Sequence, residues 1–197
     1  DSTIRDSVAD AGGGGIYTDF SAVTLTASTI SGNSTTGVDS DGGGGIFTGS
    51  GAVTLTDSTV SGNSTTGDYA DGGGIFTGSG AVTLTASTIS GNSTTGVDAY
   101  GGGIFTSSGA VTLTSSTISG NRTTGAASDG GGLWIDNAEV TLISSTVTGN
   151  SATRVGGGLS LLADSSDRKL TIHNTIIAGN TDNGTAPDFS PPTSPAT

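Results

Sequence analysis

The chain has 197 residues, 36 of them glycine, with 31% hydrophobic and 11% charged residues and a formal net charge of −12. That acidic balance disfavours nucleic acid and anionic membrane surfaces as partners. With no cysteine there is no disulfide, zinc-thiolate or cysteine-nucleophile chemistry. No apolar run approaches the length of a membrane-spanning helix.

The chain opens inside a repeat. Ser2-Thr3-Ile4 matches Ser28-Thr29-Ile30, and no methionine occurs anywhere, so it reads as a processed or excised chain. From there a single unit recurs, as in GGGIFTGSGAVTLTASTISGNSTTGVDAY over 72–100. The aliphatic residue after each glycine run is Ile16, Ile46, Ile75, Ile104, Leu133 and Leu159. The asparagine of the SGN motif is Asn33, Asn63, Asn92, Asn121, Asn150 and Asn180, at a spacing of 29 or 30. Repeats of this length signal a stacked architecture, because one unit cannot bury its own apolar face.

Within each unit the predicted elements are three short strands. In the second complete unit they are Gly45 to Thr48, Ala52 to Thr56 and Ser58 to Ser61. Apolar residues alternate with period 2, and β-branched residues and glycine dominate, which favours strands over helix. The expected fold is all-β, a right-handed parallel β-helix of about six coils of 29–30 residues with three strands per coil. The solenoid is expected over residues 1–186, with a partial coil at 1–11 and coils starting near 12, 42, 72, 101, 130 and 156. A Pro/Ser/Thr-rich tail is expected at 187–197.

Alternation predicts inward columns made of Val23/Leu25, Val53/Leu55, Val82/Leu84, Val111/Leu113, Val140/Leu142 and Leu170/Ile172. A further column takes Ile30, Val60, Ile89, Ile118, Val147 and Ile177. Strand spacing sets neighbours in each column about 4.8 Å apart. The six SGN asparagines are expected to form an inward ladder at a turn, with amides bonding from coil to coil. The glycine runs fit sharp turns and close coil contacts. They lack the Lys-Ser/Thr and following helix of a phosphate-binding loop. Neither end shows a capping helix, so exposed sheet edges are expected to favour end-to-end self-association.

The coils GGGIFTGSGAVTLTASTISGNS resemble the right-handed parallel β-helix repeats of large bacterial surface proteins. The pairing of GGGI with SGN is similar to the GGAI and FxxN repeats of polymorphic outer-membrane proteins. It is closer to extracellular β-helix proteins with GGGIY and LTLTNSTISGN coils. The segment NTIIAGNTDNGTAPD (174–188) is similar to their closing segment. The resemblance implies secretion, a cell-surface or matrix location, and an adhesive or structural role. The proline-rich stretch after Asp188 departs from the family pattern of further coils.

Four surface features are candidate sites. Parallel β-helices also host polysaccharide lyases and hydrolases, which need clustered carboxylates and an acid/base group. Here the basic residues are scattered, the sole histidine, His173, sits at an outward position, and no unique constellation stands out, so no catalytic residue and no enzyme activity are expected. The aspartates before the glycine runs, Asp39, Asp41, Asp68, Asp71, Asp98 and Asp129, would line up in a ridge of loops. Such a ridge either holds Ca²⁺ on oxygen ligands or serves as a solvated acidic edge. Tyr100 interrupts it, and the nine-residue calcium repeat is absent.

The pairs Thr24/Thr26, Thr54/Thr56, Thr83/Thr85 and Thr112/Thr114 point outward. They form a regular Thr-x-Thr array resembling the ice-binding faces of solenoid antifreeze proteins, although threonine is favoured on any solvent-facing strand. Tyr17, Phe47, Phe76, Phe105 and Trp134 follow the inward aliphatic residue and form an outward ladder. It either offers an interface to sugar rings or a neighbouring chain, or packs on itself under loops. Of the N-x-S/T motifs, only Asn183 lies off the ladder and is open to a surface glycan.

Overall fold

The structure, a computed structural model, describes residues 1–37, 41–162, 169–183 and 187–190. Every strand pairing in it is parallel and joins one coil to the next, giving sheets of seven, six, seven and five strands. In the second complete coil, sheet 1 contributes Ile46–Thr48, sheet 2 Val53–Thr56 and sheet 3 Thr59–Ser61. A fourth strand, Ser64–Thr65, follows the asparagine, and its equivalents run from Val8–Ala9 to Arg122–Thr123. The three-strand expectation is corrected to four for most of the solenoid. Ser-Thr carries no apolar alternation, yet Thr65 points inward and is buried.

Register is unbroken. Leu25, Leu55, Leu84, Leu113, Leu142 and Ile172 are successive partners in sheet 2. Leu55, Leu84 and Leu113 are fully buried and belong to one core with Ile46, Val60, Ile75, Ile89 and Ile104. Burial of such side chains contributes about 1.5–3 kcal/mol each, offset largely by chain entropy. In the last complete coil Ile172 keeps its inward register but is 46% exposed, because no described strand lies over it. Beyond residue 186, Phe189–Ser190 still pairs with Leu159–Leu162, so sheet 1 extends into the stretch expected to be tail.

Two corners carry polar ladders. Between sheets 3 and 4 the chain turns through a left-handed glycine such as Gly91 (φ 63°), and the next residue is the buried asparagine. Between sheets 2 and 3 it turns through one left-handed residue, Ala27, Asp57, Ala86, Ser115, Ser144 or Asn174. After the first five of these the next residue is a buried serine, and after Asn174 it is the half-buried Thr175. Ser58 Oγ donates to the Thr56 carbonyl and accepts from Ser28 N, and the pattern repeats through Ser87, Ser116 and Ser145. This serine ladder fills a corner where apolar alternation gives no signal.

Candidate functional site

The asparagine column is the best-defined polar feature inside the molecule. Asn63 N and Nδ2 both donate to Asn92 Oδ1 at 2.9 Å, and Nδ2 also donates to the Ile30 carbonyl at 3.0 Å. The same set repeats at Asn33, Asn92, Asn121 and Asn150. Each amide therefore ties three coils together. The last glycine of each run makes room for it. A Cβ at Gly74 would lie 3.0 Å from the Asn92 amide nitrogen and 2.6 Å from the Gly103 carbonyl oxygen. The glycine motif and the SGN motif are thus two halves of one contact. Buried in this way, the asparagines of the N-x-S/T motifs present no amide to solvent, whereas Asn183 is exposed.

The aromatic column is stacked. Ring centroids are 4.9 Å apart from Tyr17 to Phe47, Phe76 and Phe105, and 4.7 Å from Phe105 to Trp134, with planes within 9° of parallel. Glycine loops close over it, so that a Cβ at Gly12 would come within 3.2 Å of the Phe47 ring. Phe47, Phe105 and Trp134 are buried, and Trp134 also stacks on Tyr100 with ring centroids 5.2 Å apart. Sugar recognition by stacking needs an open ring face. Only Tyr17 at the first coil, 50% exposed with its hydroxyl on Asp19 Oδ1, has much open surface.

The aspartates do not form one ridge. The coil ending at Asp71 has an additional glycine at its start, so Gly42, rather than Asp41, is the partner of Asp71. The column runs Gly42, Asp71, Tyr100, Asp129, Val155. Asp68 and Asp98 lie in two other columns, and Asp39 lies outside the described residues. The carboxylates instead accept backbone N–H groups from the next coil: Asp68 from Val97, Asp71 from Tyr100 and Asp129 from Val155. Asp129, 2% exposed, also takes a two-point contact from Arg154, whose Nε lies 2.8 Å from Oδ1. That hydrogen bond raises the Arg154 pKa above its ordinary value. Among the described residues no three metal-ligating side chains converge.

Asp71 has a backbone partner, and among the described residues no cation pairs with it. Burial raises its pKa to about 7, against the lowering effect of the Tyr100 N–H bond. A carboxyl raised in the folded state favours folding fully below its unfolded value near 4, and that contribution is lost as pH rises through the folded value. Thermal midpoints measured between pH 4 and 8 should therefore fall less with rising pH in Asp71→Asn than in the parent chain. Equal slopes would contradict this placement of the carboxyl.

The outward threonines are in register. Thr24, Thr54, Thr83, Thr112, Thr141 and Thr171 make one column of six; Thr26, Thr56, Thr85 and Thr114 make the other, continued by Ile143 and His173. Sheet 3 turns a second hydroxyl surface outward, with Thr59, Thr88 and Thr117 beside Ser61, Ser90 and Ser119. His173 is exposed on the last described strand of sheet 2. No helix among the described residues is long and apolar enough to cross a membrane, which says nothing of β-barrels.

Compared with known proteins, the chain matches no curated protein and no solved structure. Residues 45–186 match the family model described as a right-handed β-helix region. With its parallel sheets, unbroken register and internal asparagine ladder, the chain belongs to the right-handed β-helix family.

Proposed function

We propose that this solenoid is a non-catalytic structural element of the cell exterior, a stiff rod serving as matrix component or adhesin stalk. The observation that carries the reading is the distribution of surface chemistry. Sheets 2 and 3 turn flat Thr/Ser columns outward, while Asp68, Asp71, Asp98 and Asp129 gather in the loops between sheets 4 and 1. The outward threonine column of Thr24, Thr54, Thr83, Thr112, Thr141 and Thr171 recurs from coil to coil, which suits repeated weak contacts with surface glycans or copies of the rod. A catalytic centre instead needs one particular constellation. The extracellular placement rests on the resemblance of the coils to bacterial surface proteins.

Antibody to the folded solenoid should label intact cells of the source organism before permeabilisation. Labelling only after permeabilisation, or turnover of an acidic polysaccharide by the purified chain, would contradict the proposal.

Ice binding is a second reading, favoured by the threonine column that continues through six coils without interruption. It predicts thermal hysteresis that is largely lost when Thr54 and Thr83 are both replaced by lysine. Because both side chains point outward, stability should change by only about 1 kcal/mol or less. Hysteresis that survives the double substitution would dismiss this face as its source.

A further inference from the structure

The asparagine ladder has two different ends. At the first, Ser7 is the register partner of Asn33, and its backbone N–H donates to Asn33 Oδ1 at 3.1 Å. At the other, Asn180 N and Nδ2 both donate to Asp188 Oδ1 at 3.0 Å. Asp188 does not come from an SGN motif. It precedes Phe189, the partner of Leu159, and its carbonyl accepts from Leu159 N. It therefore stands where other coils have Gly15, Gly45, Gly74, Gly103, Gly132 or Gly158. A Cβ at Gly158 would lie 2.8 Å from the Asn180 amide. Among the described residues no further ladder asparagine lies at the level of Asp188, and its side chain reaches back into the ladder.

We propose that Asp188 is the stop of the ladder, and that its carboxylate fills the slot that a second copy of this chain would need for in-register head-to-tail addition. A ladder asparagine accepts from one coil and donates to others; a carboxylate only accepts, so the relay ends there. If the Thr3–Arg5 strand of a second copy continued sheet 3 above Ile176–Ala178, its Ser7 would fall above Asn180. That is the position the Asp188 carboxylate holds. Open sheet edges are sites of unwanted pairing, and an inward-pointing charge is a known guard against it. In-register addition of a second copy of this 197-residue chain is thereby disfavoured.

The test compares the 197-residue chain with Asp188→Gly and Asp188→Asn by hydrogen exchange and sedimentation velocity over a range of concentrations. The parent chain should remain monomeric with a protected Asn180 amide. Asp188→Asn keeps the acceptor oxygen and should retain that protection. Asp188→Gly restores the residue used at the other coils and empties the slot. Its Asn180 amide should exchange about tenfold faster or more, and the protein should associate as concentration rises. End-to-end fibres of the parent chain, unchanged Asn180 exchange in Asp188→Gly, or faster exchange without association would each overturn the proposal.

Discussion

Replacing Asn92 by alanine is expected to destabilise the solenoid by about 4 kcal/mol or more. The side chain contributes bonds in both directions along the axis. Its Oδ1 accepts from Asn63 N and Nδ2, and its Nδ2 donates to the Val60 carbonyl and to Asn121 Oδ1. Alanine leaves the Asn63 donors and the Val60 carbonyl buried without those partners, at about 1–3 kcal/mol for each unsatisfied group. Asn92→Asp separates the two directions. It retains the acceptor but removes both donors and buries a charge facing Asn121 Oδ1. A buried carboxyl titrates above its ordinary value, so this variant should be less stable at pH 8 than at pH 5. Urea unfolding at the two pH values checks both statements. An alanine variant within 1 kcal/mol of the parent would contradict the ladder.

The second large effect lies in the glycine run. A Cβ at Gly73 would sit 2.5 Å from two backbone carbonyl oxygens, that of Gly102 in the next coil and that of Ser93 in the fourth strand of its own coil. Gly73→Ala should cost about 3 kcal/mol or more, because neither carbonyl can move away without breaking sheet pairing. Gly91 gives the contrast. It is left-handed at φ 63°, yet nothing lies nearer to its Cβ position than the Gly62 nitrogen at 3.9 Å. Gly91→Ala should cost only the backbone preference, about 1–2 kcal/mol, and Gly91→Asn less. Two glycines in one repeat thus serve different ends, crowding in one case and turn geometry in the other. Thermal denaturation of the pair should show a clear gap; equal losses would mean that the coils are not as closely apposed as described.

Much of the fold was legible because its energetics are written as period-2 alternation. Val53 and Leu55 announce an inward column, and copies at fixed spacing announce stacking. The SGN asparagine was legible as a ladder because a polar residue recurring at one internal place must find partners among its own copies. Elements that bury no aliphatic group left no such mark. Ser64–Thr65 pairs through its backbone while buried Thr65 Oγ1 donates to the Ala70 carbonyl, and Ser58 is buried at a corner where its neighbours are carbonyls and N–H groups. The acidic loops were not legible for another reason: one additional glycine before Ile46 moves Asp41 off the Asp71 column. Loop register depends on that single residue, whereas strand register is corrected by the core. The aromatic column could be placed outside the core from sequence, but its cover of glycine loops required the structure.

The account depends on successive coils being in register about an internal amide ladder. The most direct test is hydrogen exchange of the asparagine side-chain NH₂ groups, followed by NMR. The Nδ2 protons of Asn63, Asn92, Asn121 and Asn150 should exchange only through opening of the coils, many orders of magnitude slower than those of exposed Asn174 and Asn183. Ladder amides exchanging as fast as those two would mean that the coils do not share this interior.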